Sequence, residues 1–183
     1  MAKIVRIGNL TNRYNDLVFQ NNYKENGFLV RLRALITLGY IPDSWLDVGI
    51  DFSPVDEVAK AIKHICVYSE NSAIIYHAFP DPQITYRKML TFFRKLGIEI
   101  KPVEMGAFRH ELFVCFSGKE EYLLKYFVGI MNREGEFLIT NNINVKNDIT
   151  TEYLAKTGYI WPQINERYIT QYVNYFKKLR FFP

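Results

Sequence analysis

The chain has 183 residues, 49% of them hydrophobic and 16% aromatic, enough apolar material to bury a core as a single unit. A net charge of +4, from 23 Lys+Arg against 19 Asp+Glu, is too mild an excess to indicate a nucleic-acid partner. No apolar run approaches bilayer length and the N-terminal stretch lacks a signal-peptide hydrophobic region, so the expectation is a cytoplasmic protein with no membrane partner. His64, His77 and His110 are scattered without a Cys or His at ligand spacing, so no metal site is expected. Cys66 and Cys115 fall on what read as the apolar faces of separate helices, which predicts reduced core thiols.

The first predicted element is a strand over residues 3–7, broken by Gly8, Asn9 and Asn12. It reads like a buried strand entering a polar loop, the place where α/β enzymes usually hold ligands. Phe28, Leu29, Leu32, Leu35 and Ile36 then give an amphipathic helix over 25–38, with Arg31 and Arg33 turned outward and Gly39 as its C-cap. A strand near 46–52 follows. The next helix opens with Ser53 as cap, Pro54 in the first turn, and Asp56 and Glu57 at the positive end of the dipole. Val55, Val58, Ala59, Ile62, Ile65 and Cys66 form its expected buried face.

A continuous apolar strand over 73–79, a helix over 84–96 stopped by Gly97, and a strand over 98–103 complete a strand–helix alternation. Beyond 103 the pattern turns helical. The last helix carries Tyr168, Ile169, Tyr172, Val173, Phe176 and Leu179 on one face, with Lys177, Lys178 and Arg180 near its C-terminus. The whole is read as one unit, residues 1–103 being α/β and residues 104–183 helical.

Chemistry is harder to find. The ten glycines include no Walker loop, nucleophile elbow or dinucleotide fingerprint, and none of the 13 tyrosines is followed four residues later by lysine. No catalytic residue is therefore assigned. Asp51 and Asp56 flank Phe52-Ser53-Pro54-Val55, but spacing alone does not show that they meet. His77 suits either a general base at a strand end or a hydrogen-bonded rim histidine.

The order of segments nevertheless resembles the C-terminal half of the thioester reductase domains that terminate some non-ribosomal peptide synthetases. Arg6-Ile7-Gly8-Asn9 is similar to that family's Arg-Pro-Gly motif, and Ser53-Pro54-Val55-Asp56 to its Thr-Pro-Val-Asp motif. Gly158-Tyr159 and Trp161-Pro162 look like its C-terminal motif. The resemblance implies the C-terminal part of an extended short-chain dehydrogenase (Rossmann-like) fold: a few residual strands plus a mostly helical substrate-side subdomain. It further implies release of a carrier-bound peptidyl thioester as an aldehyde, with NADPH as cofactor of the complete domain and a phosphopantetheine-loaded peptidyl carrier protein as partner.

By the same resemblance Gly8, Asn9 and Leu10 would lie at the cofactor, and Arg13, Asn21, Asn26 and Phe28 along the substrate channel. The N-terminal Rossmann half would lie upstream of this sequence, so the chain alone is expected neither to bind NADPH tightly nor to reduce anything. Two alternatives stay open. The chain suits part of another extended short-chain enzyme, such as a nucleotide-sugar epimerase, or a non-catalytic module docking a carrier protein through its basic 177–180 end.

Overall fold

A computed structural model describes residues 3–68, 75–80, 83–116, 127–134, 136–139 and 145–183. The first strand, β1 (Ile4–Ile7), runs parallel to β6 (Ile75–Ala78), in the register Ile4↔Ile75 to Ile7↔Ala78, and is mostly exposed rather than buried. Residues facing one another in this register alternate between two surfaces. Val5, Tyr76 and Ala78 turn inward against α2 (Val55–Val67) and α5 (Asp148–Lys156), where Val58, Ala61, Ile65, Leu154, Tyr159 and Trp161 complete a small core. Ile4 and Ile75 remain 50% and 46% exposed on the opposite surface.

Three further ladders are short. β2 (Leu10–Thr11) pairs in parallel with β5 (Ser53–Pro54), β3 (Tyr40–Pro42) in parallel with β8 (Lys101–Val103), and β4 (Gly49–Ile50) antiparallel with β7 (Ile84–Thr85). The strand expected over 46–52 is thus reduced to two residues, because Asp43–Trp45 forms a 3-10 turn that buries Trp45 among Tyr86, Phe108 and Phe137. The strand expected over 98–103 begins only at Lys101, and residues 73 and 74 of the strand expected over 73–79 lie outside the described residues.

The larger core is helical. It joins α1 (Gly27–Leu38), α3 (Tyr86–Lys95), α4 (Met105–Phe116) and α6 (Glu166–Lys178) through Leu29, Leu32, Leu35, Met89, Phe93, Phe108, Ile169, Tyr172 and Phe176. α1 is capped at both ends: the Asn26 side chain accepts the N–H of Leu29, and Gly39 takes φ +73° while its N–H reaches Leu35 O. Only a residue without Cβ adopts that left-handed conformation cheaply. Most of α6 packs as the spacing predicts, although Leu179 is left 40% exposed past the last turn.

Four side-chain expectations change. Ser53 does not cap α2, because it is drawn into β5 and donates to Asp51 instead; Pro54 occupies the cap position. The buried face of α2 is Glu57, Val58, Ala61 and Ile65, so Val55, Ala59 and Cys66 point outward. Cys115 is exposed as well, and neither cysteine is a core thiol. Finally, Arg31 is half-buried rather than solvated, while Arg33 lies over the Phe181 ring at 5.1 Å.

Candidate functional site

The turn between β1 and β2 is fixed by a carboxylate from elsewhere in the sequence. Asp51, leaving β4, accepts the backbone N–H of Asn9 on Oδ2 at 2.8 Å and the Ser53 hydroxyl on Oδ1 at 2.6 Å. Ser53 N–H in turn donates to Asn9 O at 3.1 Å, which starts the β2–β5 ladder. A Cβ on residue 8 would stand 1.5 Å from Asp51 Oδ2, so glycine at this position is what lets the carboxylate in. Burial pushes the Asp51 carboxyl above the ordinary aspartate range, and the hydrogen bonds from Ser53 and Asn9 oppose that shift.

Asp56 repeats the arrangement five residues on. Its Oδ1 accepts the backbone N–H of Tyr14 at 2.8 Å and that of Glu57 at 3.0 Å. Between these anchors Thr11 Oγ1 and Tyr168 OH lie 3.0 Å apart, and Tyr168 OH donates to Asn12 Oδ1 at 3.0 Å. Asn12 is fully buried and donates its amide to Leu17 O, which helps hold Leu17 at φ +62°, a conformation non-glycine residues rarely take. The Tyr14 ring stacks on Tyr168 at 5.3 Å. Burial raises the Tyr168 phenol pKa, so it stays a neutral donor. The two carboxylates therefore meet the same loop, though not each other.

Beside the turn opens a cavity of about 240 Å³. Asn9, Gly49, Ile50 and Asp51 line it together with Phe28 and Arg31 of α1, Tyr86 of α3, Ile130 and Ile139. It is a small, open recess whose lining mixes polar groups, Asn9, Arg31, Asp51 and Tyr86, with apolar ones. Phe28 is held against Phe52 at 5.2 Å, edge to face. Tyr86 is partly buried, and desolvation raises its phenol pKa while the Arg31 charge acts in the opposite direction.

Of the residues named from the sequence, Asn9 and Phe28 line this cavity. Gly8 packs on Asp51, and Leu10 turns toward the smaller core with Val5 and Ile62. Arg13 forms an exposed ion pair with Asp16, Asn21 is exposed, and Asn26 serves as the cap of α1. Arg31, Asp51 and Tyr86 are the polar cavity side chains that sequence reasoning did not assign. The spacing of Phe28 and Arg31, one helical turn apart, was the available signal for Arg31. His77 contributes a backbone N–H to Thr150 Oγ1 and packs edge-on to Phe79. Among the described residues no group of three potential metal ligands exists, and no helix is long and apolar enough to cross a membrane.

No family model and no curated protein matches the sequence. Solved structures do. The chain superposes on a thiolation-reductase di-domain from an archaeal non-ribosomal peptide synthetase at TM-score 0.79 and 28% identity, over 99% of this chain and 37% of that one. The chain has the fold of the C-terminal part of a non-ribosomal peptide synthetase terminal reductase domain. The terminal R domain of the myxalamid PKS-NRPS pathway matches this reductase fold at TM-score 0.79 and 20% identity, over 98% of this chain and 44% of that one. A third, the reductase domain of the aureusimine biosynthetic cluster, gives 0.75 and 23%, over 97% and 45%. The reductase portion seen here thus spans well under half the length of the structures it matches.

The turn expected at the cofactor is occupied from within the chain. The one main-chain donor the turn offers at Asn9 is committed to Asp51, and the space freed at Gly8 is filled by the same carboxylate. The glycine is explained from within the chain.

Proposed function

We propose that this chain forms the substrate side of a terminal reductase domain that releases a carrier-bound peptidyl thioester as an aldehyde. The observation supporting this most strongly is the match along 99% of the chain, at 28% identity, to a structure that joins a thiolation domain to a reductase. The net reaction turns a thioester, one hydride from NADPH and a proton into an aldehyde and the free carrier thiol. The nicotinamide and the groups that hold it would come from the part of the domain outside these 183 residues.

What this chain supplies is shape and orientation. Phe28, Ile50 and Ile139 offer apolar surface to an acyl group. The exposed Asn9 side chain carries both a donor and an acceptor at the mouth, and its main chain is fixed by Asp51. Such fixed positioning is how a non-reacting part of a domain contributes to rate.

The test is a nuclear magnetic resonance titration of the 183-residue chain with butyryl-pantetheine. The expected result is saturable perturbation of amides at Asn9, Phe28, Gly49 and Asp51. Perturbation confined to other residues, or none at millimolar thioester, would overturn the proposal.

A further inference from the structure

We infer that the cavity beside Asn9 selects acyl groups that carry a carboxylate, with Arg31 as the group that binds it. This deepens the proposed function and rests on it.

Arg31 stands in the middle of α1, half-buried, with its side chain on the cavity wall. Among the described residues it makes no hydrogen bond and no ion pair, and its single electrostatic neighbour is the Tyr86 phenol. Arg13 and Arg87 are paired at the surface, with Asp16 and Asp47, and Arg109 lies over the Phe137 ring at 6.0 Å. Partial burial holds the Arg31 guanidinium below its ordinary pKa, the direction expected of a cation losing water without gaining an anion. A buried or half-buried charge is normally paired, because desolvation is otherwise uncompensated.

The cavity's own carboxylate does not serve. Asp51 spends Oδ2 on the Asn9 N–H and Oδ1 on the Ser53 hydroxyl, and no ion pair links it to Arg31. Among the described residues no anion pairs with Arg31, which leaves that place to a ligand. The walls say which kind: Phe28, Ile50 and Ile139 suit a short aliphatic chain, and about 240 Å³ accommodates a few carbons with a terminal carboxylate. A planar guanidinium matches that carboxylate in a two-pronged geometry. The Tyr86 phenol, kept protonated by desolvation, supplies a further donor.

The experiment compares glutaryl-pantetheine with its neutral methyl ester by calorimetry on the 183-residue chain, in the wild type, Arg31→Met and Arg31→Lys. Arg31→Met keeps length and apolar packing, and thermal melting confirms that it folds. The expected result is at least roughly tenfold tighter binding of the acid in the wild type, lost in Arg31→Met and partly kept in Arg31→Lys. Equal affinities in the wild type, a preference that survives Arg31→Met, or no binding of glutarate in any form would overturn the inference.

Two arms separate this failure from failure of the function itself. Tight binding of the methyl ester without preference would leave the reductase reading standing and remove the carboxylate site. Arg31-dependent binding of free glutarate, with neither thioester binding, would support the carboxylate site and remove the thioester reading. Competition by unacylated phosphopantetheine at Arg31 would overturn the inference by assigning the site to a phosphate.

Discussion

Asn9 and Asp51 are joined across 42 residues by one hydrogen bond, the Asn9 N–H donating to Asp51 Oδ2 at 2.8 Å, and the glycine before Asn9 is what gives the carboxylate room. Replacing Gly8 with alanine should therefore displace Asp51 before it affects anything else. We expect Gly8→Ala to cost about 1–3 kcal/mol, the range for losing a charge-assisted hydrogen bond to a partly buried group. Urea unfolding measures the loss, and faster hydrogen exchange at Asn9 identifies its source. An unchanged midpoint with a protected Asn9 amide would mean that the Asp51 side chain rotates away without consequence.

Asp51 also gives the fold a pH dependence of defined sign. Its carboxyl pKa is raised in the folded state, so its contribution to stability is fully present below the ordinary aspartate value of about 4 and declines as pH rises through the folded pKa. Asp51→Asn removes that titration. The stability of the wild type relative to this variant should fall as pH rises above about 4, as read from denaturation midpoints across a pH series. A constant difference would show that Asp51 keeps its unfolded-state pKa.

Two buried tyrosines on α6 should behave in opposite ways. Tyr168 OH is hydrogen-bonded to Asn12 Oδ1 and to Thr11 Oγ1, so Tyr168→Phe leaves a fully buried amide oxygen unpaired at a cost of about 1–3 kcal/mol. Tyr172 OH is buried without a hydrogen-bond partner among the described residues, so Tyr172→Phe should lie within about 0.5 kcal/mol of the wild type or stabilise it. Thermal melts of the two variants side by side decide the point.

The sequence made the helices legible because their periodicity and caps are local. Leu29 to Leu35 fix the buried face of α1, and Asn26 and Gly39 mark its ends. The resemblance of Arg6-Ile7-Gly8-Asn9 and its companions placed the fold, which the structural matches show. What stayed hidden was long-range. Ser53 has the chemistry of a helix cap but lies nearer Asp51 and Asn9, so a strand pair takes it. Val55 and Cys66 fit an apolar helix face in sequence, whereas the β1–β6 pair covers only a narrow stripe of α2 and leaves them exposed. Arg31 read as a surface cation because periodicity says nothing of a cavity built by β4 and Ile139.

The surface of the β1–β6 pair opposite α2 exposes Ile4 and Ile75 side by side. An uncovered apolar strand pair of this kind favours association. The isolated chain should self-associate in sedimentation velocity, and Ile4→Lys with Ile75→Lys should weaken that association by at least roughly tenfold. A monodisperse wild type at high concentration would show the surface to be inert.

The central claim is that these residues form the substrate side of a carrier-linked reductase. Its most direct test places this chain in the corresponding region of the archaeal thiolation-reductase di-domain and follows NADPH oxidation with a thioester loaded on the thiolation domain. The account predicts thioester-dependent NADPH oxidation with an aldehyde product, and loss of that turnover when Gly8→Val displaces Asp51. A chimera that folds and binds NADPH yet never reduces the loaded thioester would contradict it.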